Sequence, residues 1–173
     1  DAYSIWWLQF VGRELRWLEY YENSGEQLDH YAQVIKSKPY NYMKNGHFLP
    51  HDGAHGNIRG DNVSSQLAKL GVSNTVLQRE TDINPGIELL RQTIAFSCFD
   101  DKKCADGLHA LENYAYEWDE DRGIFKSKPS HNWASHGSSA ARYAAIAAGK
   151  VKVGLGQHRP SFSLSGNSSW ASA

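Results

Sequence analysis

Two runs of aromatic and branched residues open the chain. YSIWWLQFV covers 3–11 and ELRWLEYY covers 14–21, with only Gly12-Arg13 between them. Residues of this kind favour extended backbone, and so short a glycine-containing connection pairs the runs as an antiparallel β-hairpin. Any fold for this chain has to be built around that hairpin.

Beyond the hairpin the chain alternates between helical and extended patterns. In ENSGEQLDHYAQVIKSKP, Leu28, Tyr31 and Ile35 recur at helical spacing, Ser24 is a candidate cap with Gln27 three residues on, and Pro39 is the stop. A short strand, HFLP, ends at His51-Asp52-Gly53, and AHGNIRGD over 54–61 is a glycine-rich loop. Asn62 to Leu70 reads as a helix closed by Gly71, 74–78 as a strand, and 84–95 as a helix with Pro85 in its first turn. FSCF is a short strand. A long helix is expected from Asp100 to Trp118, followed by a polar turn at Arg122-Gly123 and an alanine-rich helix over 133–148. Past Gly149 the sequence is rich in Gly and Ser, so a disordered tail is expected over 150–173 and one folded unit over 1–149. Strands alternating with helices give an α/β domain, and the hairpin makes its sheet mixed rather than purely parallel.

The totals bound the function classes. With 173 residues and 40% hydrophobic content, the chain can bury one core. A net charge of -1 means that any contact with nucleic acid comes from a local patch. Two cysteines make no disulfide framework and point to a reducing compartment. No apolar run reaches the roughly 20 residues that span a bilayer, and the opening residues are read as a strand rather than a signal peptide. The chain opens directly on Asp1 and a strand, and is read as a piece of a longer polypeptide.

Asp52 is the strongest chemical candidate. It stands just past the carboxyl end of a strand and before a flexible loop, where open α/β sheets place ligand sites. A carboxylate there can hold a hard divalent ion; it can equally be a turn aspartate bonded to its own backbone. His51 and His55 flank it, and His131 and His136 lie far away in sequence. Zinc would need three or four ligands at defined spacing, which these residues do not offer. Cys98, inside an apolar strand without a neighbouring cation, is a poor nucleophile. Ser135, Ser138 and Ser139 near His136 form no G-x-S-x-G elbow, although His136 with Ser135 or Ser139 is the residue set for a small hydrolase. No G-x-x-x-x-G-K-[ST] loop is present, so the chain is not by itself a P-loop ATPase. Arg59, Lys126, Lys128 and Arg142, with Arg122 and Lys36, could make a phosphate-facing patch; scattered surface charge is the plainer reading.

The order of segments carries a resemblance. YYENSGEQLDHYAQVIKSKPY is followed by FLPHDGAHGNIRG. Then comes INPGIELLRQTIAFSCFDDKKCADGLHALENYAYEWDEDRGIFKSKPSHNWASHGSSAARY. Over roughly residues 1–148 this resembles the C-terminal nuclease domain of the large terminase subunit of tailed bacteriophages and prophages. The resemblance implies a ribonuclease H-like mixed sheet flanked by helices, two Mg or Mn ions held by three acids, and endonucleolytic cutting of double-stranded DNA during head packaging. It implies the terminase ATPase domain, the small subunit and the portal as partners, in the host cytoplasm and away from membranes. The family's first acid lies on a first strand that would precede residue 1, so that strand is expected to be missing, with association of chains or an edge position for 3–11 as the result. The second acid maps onto Asp52. The third falls in a motif of the form HDWASH-x-x-DA-x-RY, which here reads HNWASHGSSAARY and leaves Asn132 and Ser139 at the acidic positions. Asp52, Asn132 and Ser139 are the expected metal residues, and Asp52 and His136 the expected catalytic ones. One carboxylate in three makes weak two-metal chemistry, so impaired cutting is expected. The alternative is a catalytically inactive module that binds DNA or docks on the motor.

Overall fold

The computed structural model describes residues 2–12, 14–56 and 61–157. The chain is mixed α/β. β1 (Ala2–Val11) and β2 (Glu14–Ser24) form the expected antiparallel hairpin, with Gly12 in the left-handed region at φ 62°. The register slips between Trp7 and Leu8, where Leu18 becomes an extra residue on β2. This bulge changes which β2 residues share a face. Before it Tyr20 opposes Trp6, and after it Trp17 opposes Leu8. Strict alternation would have separated Tyr20 from Trp17; the bulge puts both on one side.

The hairpin therefore buries two faces. One carries Trp6, Leu15, Trp17 and Tyr20 into a cluster with Leu90, Cys104, Ala141 and Ala145. There Trp6 meets Trp17 edge-on at 5.0 Å, and Trp17 stacks on Phe99 at 5.0 Å. The other face carries Trp7, with Ile5 and Leu18, against Ala32, Ile35, Leu67 and Val72. A two-stranded hairpin is marginal alone; this one is stabilised by cores on both sides.

β5 (Ser97–Phe99) adds to β2 in parallel, giving the order β1-β2-β5 with β1 at the edge. No charged residue occurs along β1. A second sheet pairs β3 (His47–Leu49) in parallel with β4 (Asn74–Val76). Leu49 joins the same cluster as Trp7, so both sheets share one core.

The helices are α1 (Leu28–Ser37), α2 (Val63–Lys69), α3 (Asn84–Ile94), α4 (Ala105–Glu112) and α5 (Trp133–Gln157). α1 begins at Gln27 without a side-chain cap, so Ser24 stays in β2. Asn62 caps α2 in a reciprocal box with Ser65. The long helix expected over 100–118 is three things instead. Asp100 accepts the amides of Lys102 and Lys103 in a turn, α4 occupies 105–112, and β6 (Tyr116–Asp119) comes next. β6 pairs with β7 (Ile124–Pro129) across a turn with Gly123 at φ 63°. Tyr114, Tyr116 and Trp118 recur at period two, the strand signal that a helical reading of this segment overrode. α5 continues to Gln157, past the boundary expected at Gly149. The remaining tail, 158–173, lies outside the described residues. No helix among the described residues is long and apolar enough to cross a membrane.

Close approach fixes two glycines. A Cβ on Gly107 would run into the Trp6 indole, and one on Gly137 into the Tyr20 phenol. Overpacking of this kind costs about 2–3 kcal/mol. Gly107→Ala is expected to lower the urea midpoint accordingly, and an unchanged midpoint would show that Trp6 has room to move.

At the other face, Lys38 Nζ sits 2.5 Å from Glu19 and 5.1 Å from the Trp7 ring centroid, while the Tyr40 hydroxyl donates to Glu19 at 3.1 Å. Burial first, and then Glu19, push the Tyr40 phenol up to about 12. A raised phenol stabilises the fold below its ordinary pKa and loses that contribution as pH rises through the folded value. Alkaline unfolding followed by circular dichroism should therefore show a decline between roughly pH 10 and 12 that Tyr40→Phe makes shallower.

Candidate functional site

Parallel β3–β4 pairing places the residues after β3 at its carboxyl edge. Pro50 leads into a single 3-10 turn, His51–Ala54, with Gly53 buried against Leu49. Asp52 is exposed on this turn. Its backbone carbonyl accepts the His55 amide at 2.8 Å, and its carboxylate has no hydrogen-bond partner among the described residues. It is therefore a solvent-facing carboxylate at a strand end rather than one tied down in an Asx turn.

His51 connects this turn to the last helix. Its Nδ1 lies 3.0 Å from the Tyr143 hydroxyl. The carboxyl end of β3 and α5 thus meet, as the expected site requires, although the joining pair is His51 and Tyr143 rather than Asp52 and an acid. Nothing in the sequence singled out Tyr143 beyond its place in the ARY ending. His55 packs edge-on to His51, with ring centroids 5.6 Å apart.

The start of α5 is occupied by its own backbone. Asn132 Oδ1 accepts the Ala134 amide at 3.0 Å, and Asn132 O accepts both the amide and the hydroxyl of Ser135. This is helix-capping chemistry, and asparagine serves it as well as aspartate does. Ser135 is buried, and its Oγ also lies 3.1 Å from His131 Nδ1. With its proton given to the Asn132 carbonyl at 2.6 Å, that hydroxyl is no activated nucleophile. His136 meets His131, ring centroids 5.5 Å apart, and has no serine hydroxyl bonded to it among the described residues. Ser138 is fully buried and donates to the Ala110 carbonyl at 3.3 Å. Ser139 lies beside Tyr114, whose phenol is raised by burial and lowered by that hydroxyl.

The expected cations are dispersed. Arg59 lies outside the described residues. Lys126 and Lys128 sit exposed on β7, and Lys126 pairs with Glu117 at 2.9 Å. Arg122 stands 3.9 Å from Asp119. Lys36 donates to the Leu70 carbonyl. Arg142 is placed differently from a surface cation: it is 7% exposed, its Nη1 pairs with Glu80, and its Nε has no partner among the described residues. Gly86 leaves room for its methylenes, since a Cβ there would press on Arg142 Cδ and Glu80 Oε1.

The cysteines also separate. Cys98 is exposed on β5 and in contact with Glu14, not in apolar surroundings. Cys104 is fully buried, and burial pushes its thiol up to about 11. A protonated, inaccessible thiol does no nucleophilic chemistry.

The donor set can be tested against the metal pair that the resemblance implies. Two closely spaced dications require several negative ligands. Asp52 is a single carboxylate, Asn132 is spent on capping, and Ser139 is neutral. Among the described residues no group of three or more His, Cys, Asp or Glu is placed to hold a metal ion. The described residues by themselves do not fit a two-metal site. No family model matches the chain, and no curated protein or solved structure matches it either.

Removing Arg142 would strand Glu80 in a largely enclosed position, and breaking a buried pair costs about 3 kcal/mol. Arg142→Leu is expected to lower the unfolding free energy by that amount, read as a fall in the urea midpoint. Adding Glu80→Leu should restore most of it; a double variant as unstable as the single would mean that the Arg142 stem, and not the ion pair, is what matters.

Proposed function

We propose that this chain is a metal-dependent DNA endonuclease domain of a viral DNA-packaging terminase, with impaired cutting. The observation that carries the reading is Asp52: an uncommitted carboxylate at the carboxyl end of a parallel strand, held against the last helix through His51 and Tyr143. The finer fold is ribonuclease H-like. In its support, the strands pair both antiparallel and parallel, and β1 and β3 share one core. The partners are double-stranded DNA in the host cytoplasm and the terminase ATPase domain, small subunit and portal, with Lys126 and Lys128 as the exposed cations for phosphate. Mg or Mn would be the ion.

A second reading has its own support. Asn132 caps a helix and Ser139 lies beside a phenol, the arrangement expected of a module that keeps the fold and has given up cutting. In that case the domain binds DNA or docks on the motor.

Plasmid DNA with Mn²⁺ separates the two. The first reading expects slow nicking that Asp52→Ala reduces about tenfold or more, since losing even a residue that only orients a metal ligand acts on that scale. Nicking at equal rates in both proteins would remove Asp52 from the chemistry. The second expects no nicking, but retention of DNA that weakens as salt rises; a chain that neither cuts nor retains DNA at low salt contradicts both.

A further inference from the structure

The Trp133 indole has no part in the Asp52 site. It is 53% exposed and rests against His109, with ring centroids 4.9 Å apart. It forms one wall of a pocket of about 310 Å³ between β2, α4 and the start of α5. The other walls are Tyr20, Glu22, Asp106, His109 and Ala110.

The two carboxylates in this pocket are both negative, and among the described residues His109 is the one lining group able to carry positive charge. Glu22 accepts the Ser4 hydroxyl at 2.7 Å and the Tyr20 hydroxyl, both neutral donors. Asp106 stands in the first turn of α4, near enough to the Tyr20 phenol to act on it. Among the described residues no Lys, Arg or His forms an ion pair with either carboxylate. Asp106 favours the start of α4 whatever fills the pocket, but no helix terminus explains Glu22 or a half-exposed indole. Two exposed carboxylates without an ion-pair partner among the described residues, beside an aromatic face, suit a cation, since a ring face attracts positive charge and a carboxylate bonds N⁺–H strongly. A bare metal ion is not the match: the pocket residues do not form a metal-holding group, and an indole offers a metal nothing. An ammonium group on an alkyl stem fits both surfaces.

We infer that this pocket binds an organic ammonium cation, its charge between Glu22 and Asp106 and its methylenes against Trp133. The same chemistry is presented by a free polyamine and by a lysine side chain of a partner protein. The inference does not rest on the nuclease reading, because it uses a different set of residues and requires neither DNA nor metal.

Calorimetric titration tests it, with spermidine and with N-acetyl-lysine methylamide as separate probes at constant ionic strength. The proteins are the unaltered chain, the double variant Glu22→Gln with Asp106→Asn, and Trp133→Leu. Saturable binding of at least one amine is expected, weakened roughly tenfold in each variant, as for loss of one charge-assisted or cation–π contact. Tighter spermidine identifies a free polyamine as the ligand, and a tighter lysine derivative identifies a partner's side chain. Circular dichroism checks that each variant is folded; if the amide variant is not, Trp133→Leu, at an exposed position, carries the test by itself. No saturation by either amine overturns the inference, as does equal binding by the folded variants.

Discussion

Everything in this fold hangs on a hairpin that is apolar on both sides. Trp6 and Trp7 are adjacent in sequence, point to opposite faces, and are both buried. Each needs its own cover. The Trp6 side takes α3, α4 and α5; the Trp7 side takes α1 and α2. The Trp6 indole also donates to the Gly137 carbonyl at 3.0 Å, a buried hydrogen bond that fixes where α5 crosses the sheet. Glycine at 107 and 137 is the condition for that approach, because any side chain there would occupy the space of Trp6 or Tyr20. The placement of Asn132, Ser139 and Tyr143 is a result of this one helix position.

Much of the architecture was legible in the residues. The hairpin, α1, α2, α3 and the short strands β3, β4 and β5 lie close to where their patterns place them, because composition and turn chemistry agreed there. Two features were not legible. The bulge at Leu18 leaves no local mark, and only the need to bury both Tyr20 and Trp17 on one face produces it. The segment after Glu112 read as helix because Cys104, Leu108, Leu111, Tyr114 and Ala115 fit a helical face. Tyr114, Tyr116 and Trp118 fit a strand equally well, and the glycine turn at 123 decides for the strand.

The candidate site was legible in part, for a different reason. Position along a strand is written in local sequence, so Asp52 could be found. What a polar side chain bonds to is settled by distant neighbours. Arg142 looks like any helical surface cation until Gly86 opens a space beside it and Glu80 arrives to pair with it. Asn132 looks like a substituted acid, yet its geometry is that of a cap. Tyr143 gains its interest only from His51, brought to it across the fold.

The parallel pairing of β2 with β5 has a consequence for how the molecule assembles. β1 and β2 lie next to each other in sequence, so their contacts form with little loss of chain entropy. Leu15 meets Ser97 only after most of the intervening chain has been laid down, and such distant closures are slow. Until then β2 presents an open border, and β5 is only three residues long. Of the two pairings in this sheet, the one with β5 is the shorter and closes by far the longer loop. Three short backbone pairings stand between a finished molecule and one whose aromatic ribbon is still unguarded on that side.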